Sequence, residues 1–359
     1  MDTERVLSPY SNLPSRAFWR SAVSERSPLD PGDIYHPRFP ISKNMKIATA
    51  GSCFAQHVGR ALKGANFEII DTERMPNFVP DKIANRFGYR LYSARYGNIY
   101  TSRQLLQLWL ESNGKLSPSL PVWERNGHYF DAQRPGVEPD GLPSRELVME
   151  HRKCHLKNVI DAFRQADLFI FTFGLTECWL HRETRTVYPT APGTIAGCYD
   201  PRIFEFENLD VLQVVEDFER FRSELQSVNP EVRFLITVSP VPLTATASDQ
   251  HVELATCYSK SVLRAACGML TKRYDDIDYF PSFEVITSLN SRGVYYENNQ
   301  RSVSPAGVSA AMTLFMTSHG VMPPEGQEHS ERCSSRRATN VGTDRNLVCE
   351  EALLEAFEK

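Results

Sequence analysis

The run Asp167-Leu168-Phe169-Ile170-Phe171-Thr172-Phe173 is apolar almost without interruption. A strand wetted on one face alternates polar and apolar residues, whereas a continuous run suits a parallel strand covered on both faces, and such strands need helices above and below the sheet. The chain offers both. Residues 46–50, 66–70, 232–238 and 277–280 read as further strands, and residues 54–63, 102–111, 144–165, 210–226, 249–272 and 304–318 as helices. Gly64 fits the C′ position of the first helix, Ser248 or Asp249 an N-cap with His251 in the first turn after it, and Pro305 an N1 position. Strands alternating with helices predict a three-layer α/β/α domain with right-handed crossovers and loop insertions.

A chain of 359 residues, 41% hydrophobic and 23% charged, can bury one large core. Residues 1–45 hold six prolines among aromatics and read as an arm wrapping a domain that spans 46–320. Residues 113–145, rich in Pro, Gly and charge, read as an insertion with short strands at 121–125 and 128–131, and 321–359 as a flexible tail with a short terminal helix over 346–357. A net charge of −4 with no Lys/Arg cluster among aromatics argues against nucleic acid as a partner. The apolar stretch 166–175 is about half of the ~20 residues needed to span a bilayer, and no signal-peptide pattern opens the chain. Eight cysteines without a C-x-x-C pair or zinc-like spacing read as reduced thiols, so the expectation is a cytoplasmic protein with no metal or organic cofactor and an oligomeric state left open.

The chemistry-bearing residues fall where strands end. Residues 46–50 run into Gly51-Ser52-Cys53, two nucleophile-type side chains at the start of a helix, whose N-terminal N–H groups favour an anion. Residues 167–173 run into Gly174-Leu175-Thr176-Glu177, where Glu177 is a candidate acid, base or orienting carboxylate. Gly97-Asn98, in a loop over 92–101, offers a backbone N–H and an amide. Residues 186–208 read as an irregular, lid-like loop. Two histidines are candidate bases: His57, four residues after Cys53 and so on the same helix face, and His251, past the strand end at residues 239–242.

Gly51-Ser52-Cys53-Phe54-Ala55, residues 172–177, 238–243 and Tyr258-Ser259-Lys260-Ser261 resemble, in order, the motifs of the GSCFA family. That family is similar to the SGNH/GDSL hydrolases, esterases and carbohydrate O-acyltransferases on a flavodoxin-like parallel sheet. The resemblance implies a nucleophile at Ser52 by residue identity or at Cys53 by its spacing from Gly51 and Phe54. It further implies an oxyanion hole from Gly97, Asn98 and Thr176, the last standing where an asparagine is usual. The Asp-x-x-His of SGNH enzymes falls on Arg301-Ser302-Val303-Ser304, with neither carboxylate nor imidazole, so His251, ahead of His57, takes the base role with Glu177 orienting it. Arg301 then binds an anionic substrate or pairs with Glu297.

Two functions follow as expectations. The first is an acyl-ester hydrolase or O-acyltransferase acting on a carbohydrate or related small ester through a covalent acyl-enzyme. The second is a non-catalytic binding or scaffold protein that keeps a degenerate SGNH-like pocket.

Overall fold

The computed structural model describes residues 8–321 and 350–358. The first apolar run forms strand β1 (Lys46–Gly51), continues into helix α1 (Phe54–Gly64) and returns as the short strand β2 (Glu68–Ile69). Gly64 does not close α1: it stays helical, and Asn66 takes the left-handed backbone at φ 61°. The Asn66 N–H bonds the Lys63 carbonyl and the Phe67 N–H that of Leu62, both at 3.0 Å, a Schellman closure that asparagine tolerates.

Helices α2 (Asp81–Arg86) and α3 (Ser102–Ser112) precede a hairpin of β3 (Val122–Arg125) and β4 (His128–Asp131), and α4 (Arg145–Arg164) follows. The hairpin turns on Asn126-Gly127, both at positive φ (52° and 77°), as its right-handed twist demands. It is pinned by Arg152 of α4, whose guanidinium is buried and bonds Asp131 of β4 and Glu111 of α3, both at 2.7 Å.

The continuous apolar run is strand β5 (Leu168–Phe173). Residues 186–208 are not simply an irregular loop, because β6 (Glu177–His181) pairs antiparallel with β7 (Val187–Tyr188) and β8 (Phe204–Asn208). The signal was the alternation of buried Cys178 and Leu180 with more exposed neighbours. Helix α5 (Val211–Gln226) opens on an Asp210/Gln213 capping box, and β9 (Arg233–Val238), α6 (Val252–Arg273), β10 (Ile277–Tyr279), α7 (Ser282–Thr287) and α8 (Pro305–Ser318) complete the order. Helix α6 starts later than residue 249: neither Ser248 nor Asp249 caps it, and His251 does, its Nδ1 accepting the Glu253 N–H at 3.2 Å.

The five parallel strands lie in the order β2-β1-β5-β9-β10, which in chain order is 2-1-3-4-5, the flavodoxin-like arrangement. Side chains alternate across β5. Phe169, Phe171 and Phe173 join Trp109 of α3, Phe163 of α4, Phe218 and Phe221 of α5 and Leu263 of α6, whereas Leu168 and Ile170 join Phe54 of α1, Ile286 of α7 and Phe315 of α8. The result is three layers. Each fully buried phenylalanine contributes about 1.5–3 kcal/mol relative to exposure. In the proline-rich segment ahead of β1, Tyr35, Phe39 and Ile41 pack into the layer of α1 and α8, and the Tyr35 hydroxyl donates to Asp278 at 2.9 Å.

The terminal helix expected over 346–357 is a 3-10 helix, Glu350–Phe357, and residues 322–349 of the expected tail lie outside the described residues. Among the described residues no helix is long and apolar enough to cross a membrane, and no cluster of His, Cys, Asp and Glu could hold a metal ion. Of the cysteines, Cys53, Cys178 and Cys267 are buried and Cys154, Cys198 and Cys257 exposed; Cys333 and Cys349 lie outside the described residues.

Candidate functional site

Strand β1 cannot end as it does without Gly51. At φ 138° it pairs with Thr172 of β5, and a Cβ there would lie 2.5 Å from the Thr172 carbonyl oxygen. The next residue is locked from both sides: the Ser52 N–H donates to Thr172 at 3.1 Å, and the Gly51 carbonyl accepts the Ile99 N–H at 2.9 Å. Cys53 then caps α1 in helical backbone. Gly174, at the end of β5, faces the same turn, and a Cβ there would approach the Ser52 Cβ to 2.9 Å and the Tyr100 carbonyl to 3.1 Å. Strands β1 and β5 flank the point where the strand order reverses, where open α/β sheets leave a crevice for ligands at their carboxyl ends.

A small recess opens there, lined by Ser52, Cys53, Tyr100, Gly174, Ser239 and Lys260 with apolar residues of the loop after β9. The Ser52 Oγ is buried and has no hydrogen-bond partner among the described residues. Lys260, on the buried face of α6, donates from Nζ to the Gly174 carbonyl at 2.6 Å. Its neighbour Ser259 accepts the Thr176 N–H at 3.0 Å, so the fourth family-like motif touches the second.

Loop 91–101 is buried along its whole length, which a turn read from composition does not foretell. Its polar groups are occupied, as buried backbone requires. The Ser93 Oγ accepts the Thr49 N–H at 2.9 Å, the Gln104 side chain accepts from the Tyr100 N–H and donates to the Asn98 carbonyl, both at 2.9 Å, and the Tyr100 carbonyl accepts from Gly174 and Leu175. Within it, Asn98 Oδ1 faces the Tyr92 hydroxyl at 2.5 Å and Gln56 Nε2 at 3.2 Å, an arrangement that fixes the amide orientation. The Tyr92 hydroxyl also reaches the Ser52 carbonyl at 3.0 Å. Asn98 is thus one phenol away from the turn. Burial above all raises the Tyr92 pKa well above its usual value; Gln56 opposes the rise, and Cys53 and Glu350 add to it.

The structure brings Ser52 and Cys53 together with the Gly97-Asn98 loop, and it places the other predicted residues apart from the recess lining. His57 is half-buried on α1 with its ring 5.7 Å from that of Phe54. His251 is exposed and occupied in capping α6. Glu177, at the start of β6, accepts from Thr246 at 2.5 Å; burial raises its pKa, partly offset by the Thr246 hydroxyl and the Ala247 N–H. Thr176 is fully buried with its hydroxyl on Asn208 at 2.6 Å. Arg301 lies in the loop before α8 with its N–H on Asn299 at 3.0 Å.

The residues that sequence reasoning missed are Lys260, Tyr92 and Tyr100. Lys260 left a trace, since it stands three and seven residues before Leu263 and Cys267 on the apolar face of a helix, where a cation is out of place unless held. Residues 46–315 match the family model described as the GSCFA family, and no curated protein matches the chain.

Proposed function

The chain belongs to the GSCFA family, and we propose that it is an acyl-ester hydrolase or O-acyltransferase for a carbohydrate or related small ester, working through an acyl-enzyme on the Ser52–Cys53 turn. The observation that carries this reading is the buried Ser52 hydroxyl without a hydrogen-bond partner among the described residues, lining a recess at the sheet's switch point. A structural serine in a core is normally satisfied, whereas a nucleophile is kept for the substrate. The family's likeness to SGNH hydrolases and the flavodoxin-like strand order add support.

In the proposed reaction the Ser52 oxygen adds to the ester carbonyl. Its proton passes to a base and on to the leaving alcohol, and water or an acceptor hydroxyl then releases the acyl group. Lys260 is the basic side chain that shares the recess with Ser52, so it takes the base role in place of the histidines. It accepts a proton only as the neutral amine. Cys53, at the N-terminus of α1, is the alternative nucleophile, favoured by the helix dipole.

The test is covalent labelling by an activated ester or fluorophosphonate, read by intact mass. Wild type should gain one adduct, and Ser52→Ala should abolish it if the hydroxyl reacts, Cys53→Ala if the thiol does. The engagement of His251 with its helix and of Glu177 with Thr246 favours a second reading, a non-catalytic binding protein. Wild type that stays unlabelled across pH 6–10 while folded would sink the first reading and leave the second.

A further inference from the structure

A carboxylate already sits beside the turn, and it comes from the far end of the chain. Glu350, at the head of the terminal 3-10 helix, is buried, and its Oε2 accepts from the Asn98 amide, 252 residues away in sequence, and from the Tyr100 hydroxyl at 3.0 Å. Its Oε1 lies over two glycines. A Cβ on Gly136 would be 2.6 Å from Oε1 and 3.3 Å from Cδ, and one on Gly97 would be 3.5 Å from Oε1. Two donors converging on one oxygen, with two glycines packed against the other, match a planar group with two acceptor oxygens. A second buried chain ties this pocket to the recess: Asn98 meets the Tyr92 hydroxyl, and Tyr92 the Ser52 carbonyl. Tyr100 itself lines both.

We infer that the Asn98–Tyr100 pocket is a carboxylate subsite of the site at Ser52, that the small molecule taken there bears a carboxylate, and that Glu350 fills the subsite in the ligand-free chain. The inference rests on placing the reaction at the Ser52–Cys53 turn, but it concerns binding and needs no acyl-enzyme. A ligand that competes with a tethered carboxylate binds more weakly by the fraction of chains in which the tether is released. Removing the Glu350 carboxylate therefore strengthens binding of an external one.

The experiment uses the full-length chain and glutarate, one end of which reproduces the glutamate side-chain head. Calorimetric titration should show glutarate binding Glu350→Ala at least tenfold tighter than wild type, with dimethyl glutarate binding neither and Asn98→Asp in the Glu350→Ala background abolishing the gain. Tyr100→Phe removes one donor and keeps the ring, so amide hydrogen exchange over 350–358 should quicken severalfold. Equal glutarate affinity in wild type and Glu350→Ala, equal binding of the dimethyl ester, or unchanged exchange in Tyr100→Phe would each overturn the subsite. Should glutarate compete as expected while the turn stays inert to electrophiles, the subsite stands and the acyl-enzyme falls.

Discussion

The Nζ of Lys260 lies 2.6 Å from the carbonyl oxygen of Gly174, the residue whose Cα side packs against Ser52. A lysine so placed either holds the second strand end or moves a proton, and two substitutions separate these roles. Arginine keeps a donor for the carbonyl but is never deprotonated near neutral pH. Lys260→Arg should therefore retain the fold and lose labelling by about 10²–10⁴-fold, the usual contribution of a positioned acid–base group. Lys260→Met should lose the same activity and, by leaving the Gly174 carbonyl unpaired, about 1–3 kcal/mol of stability as well. Full labelling in folded Lys260→Arg would confine Lys260 to structure.

Gly174 is a steric rather than a conformational glycine, since its backbone is not left-handed and the space beside it is what alanine would fill. A methyl at 2.9 Å from the Ser52 Cβ must push the turn or loop 91–101. Gly174→Ala should cost about 1–3 kcal/mol, typical of overpacking, while slowing labelling far more than any other single-methyl insertion. Chemical denaturation and labelling rate on the same sample check both. At Gly51 strain and clash coincide, so Gly51→Ala should give little folded protein at all.

The hairpin of the insertion is held by a buried charge. Asp131 is kept ionised, its pKa held down to about 2: burial, the largest influence, works against this and is outweighed by Arg152 and Arg134. Asp131→Ala would take one carboxylate from two buried guanidinium groups, leaving Arg152 with Glu111 and Arg134 with Glu73, and removal of one partner from a buried pair typically costs about 3–5 kcal/mol. A urea midpoint for Asp131→Ala within error of wild type would show that the network relaxes without cost.

What could be read from residues alone was whatever depends on local pattern. The unbroken apolarity of Leu168–Phe173 betrayed a strand covered on both faces, and the glycines at the ends of β1 and β5 marked the sheet edge that now carries the recess. The three-layer architecture follows from these and from the helix periods between them. The site's partners obeyed no such rule. Tyr92 reaches the turn and Lys260 the end of β5 from elements far away in sequence, and Glu350 arrives from the short helix read over 346–357, whose docking place no local pattern gives. His251 looked available because a ring nitrogen that caps a helix has no signature distinct from one that moves protons.

His155, on α4, shows how burial sets a proton's place. Its Nδ1 lies 2.7 Å from Glu73, yet burial, reinforced by Arg134 and Arg152, lowers the imidazole pKa to about 4 against the pull of that carboxylate. Glu73 is itself held down to about 2: burial would raise it, but His155, Arg134 and the Arg95 N–H prevail. An imidazole neutral in the folded chain down to about pH 4 takes up a proton near 6.5 once unfolded, so between these values the unfolded state binds more protons. Its contribution is therefore whole above pH 6.5 and is lost as pH falls towards 4, on the order of 3 kcal/mol in all. The Glu73 contribution disappears lower, as pH falls from 4.5 through about 2, and meets the imidazole window only near pH 4. His155→Asn keeps an N–H for Glu73 and does not titrate. Urea midpoints measured from pH 7 to pH 4 should fall steeply in wild type and much less in His155→Asn, although the variant starts lower; parallel curves would mean that the imidazole is not the group being protonated.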